Sequence, residues 1–70
     1  MNTELKDKTL VCYPEGHIDS ENAPRLEAEL ERIRAEVPHD KLEINLKKLS
    51  YLSSAGLRVL LRTKKSETNL

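Results

Sequence analysis

Leu26, Leu30, Ile33 and Val37 are spaced four, three and four residues apart, which lines four aliphatic side chains along one face of a helix. A few residues later the period changes. In KLEINL, residues 41 to 46, Leu42, Ile44 and Leu46 alternate with Glu43 and Asn45, the period of a strand with one covered face. The helix has chemical boundaries as well. Asp19, Ser20 and Asn22 offer N-cap oxygens and Pro24 suits the first turn. Pro38 cannot continue the helix and disfavours helical geometry at Val37.

The stretch before this helix, TLVCYPEGHI over 9 to 18, reads as extended but is interrupted at Pro14 and Gly16. A strand is expected there, turning or bulging at 14–16 and resuming at His17–Ile18, with a shorter strand near Thr3–Lys6 beside it. KKLSYL, residues 47 to 52, reads as a loop whose Leu49 and Leu52 plug the core. A second helix is expected from Ser54 to Lys65, well buried because Leu57, Val59, Leu60 and Leu61 make much of its circumference apolar. KSETNL has no pattern and is expected to fray. Strand, helix, strand, helix favours a parallel pair joined by a crossover.

Composition narrows the functions open to such a fold. At 70 residues, with 37% hydrophobic residues and neither Phe nor Trp, the core is aliphatic and thin, so a partner or a further piece is expected. Twelve basic residues balance twelve acidic ones, without the basic excess or interleaved aromatics that nucleic-acid binding requires. No apolar run approaches the roughly 20 residues of a membrane span, and MNTELKDK lacks the apolar segment of a secretory signal. A cytoplasmic, reduced setting fits the single Cys12, read as a buried small hydrophobe. His17 and His39 come with no third ligand, so no metal site is assigned, and neither is placed to activate a serine, so no catalytic residue is assigned.

Functional side chains in open α/β sheets gather beyond the carboxyl ends of the strands. Here that rule collects Asp19, Asn45, Ser53 and Ser54 at one rim. A serine at a helix start can cap it. Once phosphorylated, it can also place its charge where the helix end stabilises it. Both readings stand for this pair. Gly56 lets another part of a chain approach the turn closely. Charge is uneven along the sequence: residues 19 to 36 hold six acids and three bases, a net of −3, whereas 51 to 65 hold four bases and no acid, a net of +4. Arg58, Arg62 and Lys65 share a helical face, either a solvated stripe or a docking face for an acidic partner.

Two segments, INLKKLSYLSSAGLRVLL and GHIDSENAPRLEAEL, carry a resemblance. The first resembles the signature of STAS domains of the anti-sigma factor antagonist type. The second is similar to that family's earlier Gly-x-hydrophobic-Asp segment and first helix, and together the match runs from residue 9 to 65. The resemblance implies a small α/β domain with a mixed sheet packed by helices, in the order β-(β)-α-β-α. It also implies switchable binding of an anti-sigma factor that is itself a serine kinase, with a phosphatase restoring the antagonist. By register Ser54 is the phosphoacceptor, and Asp19, Asn45, Ser53 and Gly56 line its surroundings. Arg58 and Arg62 are the candidate partner contacts. No cofactor belongs to the chain itself, since ATP and Mg²⁺ would be the kinase's.

This sequence departs from the family pattern in having Asn45 where Asp is common and Ser53 where Asp is frequent. It also stops before the family's final strand and helix, so a fragment, a truncated product and a domain completed by a second copy all stand. The alternative function within the same fold is an unphosphorylated STAS scaffold of a transporter or stress-signalling assembly. A phosphoserine adds about −1.5 to −2 charge. Two like charges about 6 Å apart at an effective dielectric near 20 repel by roughly 3 kcal/mol. Half of that changes affinity about tenfold.

Overall fold

The computed structural model describes residues 1–67. Seven elements follow one another: β1 (Asn2–Lys6), β2 (Thr9–Tyr13), β3 (Gly16–Ile18), α1 (Ala23–Glu36), β4 (Lys41–Ile44), β5 (Leu49–Leu52) and α2 (Ser54–Glu67). The expected break within 9–18 is present and does more than bulge the strand: β2 and β3 belong to different sheets. A three-stranded sheet has the order β1-β2-β4, and a two-stranded sheet pairs β3 with β5. Pro14, which has no N–H for a ladder and whose side chain is fully buried, sits at the break. Gly16 follows at φ +79°, a left-handed conformation that a side chain would strain, and its N–H donates to the Lys48 carbonyl at 3.1 Å.

β1 and β2 form an antiparallel hairpin with Lys6 opposite Thr9. Its two turn residues, Asp7 at φ 50° and Lys8 at φ 64°, are both left-handed, the geometry that matches the twist of the flanking strands. β2 and β4 run parallel, Leu10 beside Leu42 and Cys12 beside Ile44. The backbone N–H groups of Lys41 and Asn45 point inward, to the carbonyls of Lys8 and Cys12. In a parallel ladder the groups of Leu42 therefore face the outer edge, where Lys64 donates to the Leu42 carbonyl. A lysine laid over an edge strand is one way to blunt it.

β4 is shorter than the alternation in KLEINL implies. It ends at Ile44 because Asn45 turns the chain: its Oδ1 accepts the Lys47 N–H at 3.0 Å. Leu46 thereby leaves the sheet and is exposed. Residues 49 to 52, read above as a loop, are instead β5, parallel to β3, with His17 beside Tyr51 and Ile18 beside Leu52. Leu49 and Leu52 do pack against the core.

Leu10, Cys12 and Leu42 from the larger sheet, Ile18 from the smaller, Ala23, Leu26, Leu30 and Ile33 from α1, and Val59 and Leu60 from α2 form one cluster. The periodicity of α1 is thus realised, with Val37 partly buried at its end. α2 is less buried than its composition suggested. Val59, Leu60 and Thr63 face inward, whereas Leu57 is 46% and Leu61 60% exposed. α2 also runs further than expected, to Glu67, so the part of KSETNL that is described is helical; the rest of that segment lies outside the described residues. Among the described residues no helix is long and apolar enough to cross a membrane.

Candidate functional site

The two serines at the mouth of α2 have different surroundings. Ser53 is the residue before the helix. Its Oγ accepts the Gly56 N–H at 3.2 Å, and its carbonyl accepts the first helical bond from Leu57 at 2.9 Å. That is N-capping by side chain and backbone together. Ser54 is the first helical residue and is exposed. The capping reading therefore belongs to Ser53, and the hydroxyl of Ser54 is presented outward on a rigid element.

β3 and β5 bring this turn to Asp19. The Ser53 N–H donates to the Ile18 carbonyl at 2.9 Å, so the residue after β5 is stitched to the end of β3, directly before Asp19. The strand pair that gathers the rim is β3 with β5. It is not the pair expected from the sequence, in which the strand at 41–46 lay beside the one ending at Ile18. Asn45 consequently stands at the end of β4, in the other sheet. Its N–H donates to the Cys12 carbonyl at 2.8 Å and its side chain holds the 45–47 turn.

Asp19 and Asn22 tie the turn before α1 together. Asp19 Oδ1 accepts the N–H groups of Glu21 at 2.9 Å and Asn22 at 3.0 Å. Asn22 Oδ1 accepts the Asp19 N–H at 2.8 Å, and Asn22 Nδ2 donates to the His17 carbonyl at 2.8 Å. Asn22 occupies the N-cap position, yet its side chain bonds backward into this turn and not forward into the helix. The Asn22 N–H, with help from Glu21 and His17, holds the Asp19 carboxyl below the usual carboxylate range against the opposing effect of burial. Asp19 is therefore an anion at neutral pH.

Gly56 is buried, and the close approach it permits is made by the fold itself. A Cβ at this position would lie 2.6 Å from Ile18 Cγ2 and 2.7 Å from Leu52 Cδ1. The glycine lets α2 sit down on the β3–β5 pair and so sets the height at which Ser54 emerges.

The two candidate partner-contact arginines also differ. Arg58 lines a shallow cleft of about 150 Å³ between the starts of α1 and α2, with Ser20, Pro24 and Ala55. Arg62 is committed within the chain: its Nε and Nη2 donate to the two carboxylate oxygens of Glu27 on α1, at 3.1 and 3.0 Å. Arg34 on α1 likewise bonds Glu67 on α2. The Arg62–Glu27 pair therefore joins the two segments in the sense of their charge asymmetry, whereas the Arg34–Glu67 pair runs the other way, its base on α1 and its acid beyond residue 65.

One feature of the rim was missed from sequence. The rings of His17 and Tyr51 stack at 4.9 Å between centroids, 24° from parallel, and both are more than half exposed. His17 Nε2 also donates to Asp19 Oδ2 at 3.1 Å. His17 and Asp19, two apart on an extended segment, share a face by simple alternation. Tyr51 joins them only because β5 exists, and nothing in KKLSYL advertises a strand.

Strand pairs that deliver an aspartate and a helix-opening serine to one rim define a small α/β domain with polar groups on display there. The STAS domain model matches residues 1–68, and the chain belongs to that family. The match takes in β1, beyond the region that resembled the family by motif. The crystal structure of an anti-sigma factor antagonist from Mycobacterium paratuberculosis is similar at a TM-score of 0.76 and 34% identity, over 89% of this chain and 52% of that chain. This chain thus spans about half the length of that structure. No curated protein matches the chain.

Proposed function

We propose that this chain is a regulatory binding module of the anti-sigma factor antagonist type: it binds an anti-sigma factor, and phosphorylation of Ser54 switches that binding off. The observation that carries the reading is the division of labour between the serines. Ser53 caps α2, so Ser54 is exposed at the first helical position and its modification removes no cap.

The same geometry supports a switch that spares the fold. A phosphate at the amino end of a helix is favoured by the helix dipole and the unpaired N–H groups of the first turn. The added charge is therefore tolerated by the domain and felt by whatever docks on it. Asp19 is already an anion on this rim, so a partner that accepts one negative charge there meets two or three after modification. Arg58 flanks the cleft beside the helix start and is the cation best placed to be shared with a partner. The resemblance to the mycobacterial antagonist supports the class of partner, and the kinase would bring its own nucleotide and metal.

The test is incubation with a candidate anti-sigma kinase and ATP, followed by mass spectrometry and binding measurements. Phosphate is expected on Ser54, with Ser54→Asp binding the anti-sigma factor about tenfold more weakly than Ser54→Ala. Equal binding by the two variants would refute the switch. Binding without any phosphate on Ser54 would assign the chain to the unphosphorylated scaffolds of the family.

A further inference from the structure

The far end of α2 is held by a cluster that the binding site does not use. His39 lies in the turn between α1 and β4, with 8% of its side chain exposed. Its Nδ1 is 2.7 Å from the Val37 carbonyl oxygen and its Nε2 is 2.9 Å from Glu67 Oε1. Both neighbours can only accept hydrogen bonds. A neutral imidazole carries one N–H and satisfies one of them; an imidazolium carries two and satisfies both. The geometry calls for the charged ring.

The charges around it agree. From α2 comes Glu67, whose other oxygen accepts Arg34 Nε from α1, and Arg34 reaches on to Glu31 at 3.3 Å. Burial pushes the Glu67 carboxyl up, but the bonds from Arg34 and His39 outweigh it and hold the group below its usual range. Cys12 on β2 feels the cluster from below, its thiol pushed up by burial and then by the Glu67 charge. For His39 the Val37 carbonyl acts most strongly, and with Glu67 it raises the ring's pKa against burial and Arg34.

We propose that His39 is a proton-held latch: its doubly protonated ring ties the last turn of α2 to the α1–β4 turn, and loss of one proton breaks that bridge and loosens an end of the helix that Arg34 and Lys64 continue to hold. A ring whose folded pKa is raised contributes fully below its unfolded value, about 6.5, and the contribution disappears as pH rises through the folded value. The latch is therefore closed in mild acid and opens toward the basic side. Among the described residues the amino end of α2 is tied by Ser53 and by the packing of Gly56, neither of which titrates, so the loosening is confined to the carboxyl end.

The experiment is an NMR titration of both histidine rings from mildly acidic to mildly basic pH. Amide-exchange protection along α2 is measured in parallel and corrected for the intrinsic effect of pH. His39 is expected to titrate above about 6.5, with protection at Ser66 and Glu67 falling over the same interval while that at Val59 and Leu60 holds. Glu67→Gln should lower the pH at which His39 titrates, and His39→Gln should abolish the pH dependence at the helix end. A His39 ring that titrates at or below the usual value, or that ignores Glu67→Gln, would overturn the latch. Should His39→Gln fail to fold, the titration in Glu67→Gln still decides the question.

Discussion

The two ends of α2 are fastened by different physics. The amino end is held by shape: Gly56 lies against Ile18 and Leu52, and Ser53 closes the first turn. The carboxyl end is held by charge, through Glu67, Arg34 and His39. Shape is indifferent to pH and salt, whereas charge is not. The end that presents Ser54 is thus the one whose position solution conditions leave alone, which is what the proposed docking of a partner there would require.

Gly56→Ala should break this contrast most severely. The new methyl has no room unless Ile18 and Leu52 move, and overpacking of this kind costs about 1–3 kcal/mol. Some of that is offset by roughly 1 kcal/mol of gained helix propensity. Chemical denaturation should show a net loss of up to about 2 kcal/mol, and a variant more stable than the parent would mean that α2 is not seated as described. Ser53→Ala comes next, at about 1 kcal/mol for a lost cap, whereas Ser54→Ala should stay within about 0.5 kcal/mol, as exposed substitutions do. Equal costs for the two serines would erase the division of labour on which the functional reading rests.

The charged end should show smaller, condition-dependent effects. The parent is expected to lose a few degrees of melting temperature between mildly acidic and mildly basic pH, as His39 gives up its proton. That interval should flatten in His39→Gln. Arg62 and Glu27 form an exposed pair, so removing either should cost at most about 1 kcal/mol, and less in high salt. In the β1–β2 turn, whose Lys8 carbonyl accepts the Asp40 N–H, Lys8→Gly should stabilise the protein by up to about 1 kcal/mol, because a left-handed turn position is relieved of its side chain. A drop in stability there would argue that the β1–β2 hairpin turns differently.

Much of the architecture was legible where one residue or one period settles a local choice. The α1 face, the break at Pro14–Gly16 and a strand beginning at Lys41 all follow from spacing, proline and glycine. β5 was not legible, because LSYL neither alternates nor carries a turn signal and becomes a strand only by lying beside GHI. The extent of β4 was misread for a related reason: Asn45 has the right type to continue an alternation and also the side chain that ends it. The Leu57 and Leu61 positions looked buried because hydropathy reports what a residue prefers and not what is packed against it.

The same boundary runs through the candidate site. Two serines, a glycine and a leucine-rich helix, with an aspartate opening the earlier helix, are local facts that left capping and a functional hydroxyl both open; it was the family resemblance that picked out Ser54 by register, with Ser53, Asp19 and Gly56 around it. Which serine caps and which is presented, and whether Gly56 faces a partner or its own core, were decided by how β3, β5 and α2 pack. So were the placement of Asn45 at the end of β4, in the other sheet from β3 and β5, and the engagement of Arg62 with Glu27. Periodicity and capping act over a turn or two of chain and can be read along it. Strand partners and helix-to-helix charges join residues more than thirty positions apart, and only the folded chain brings them into contact.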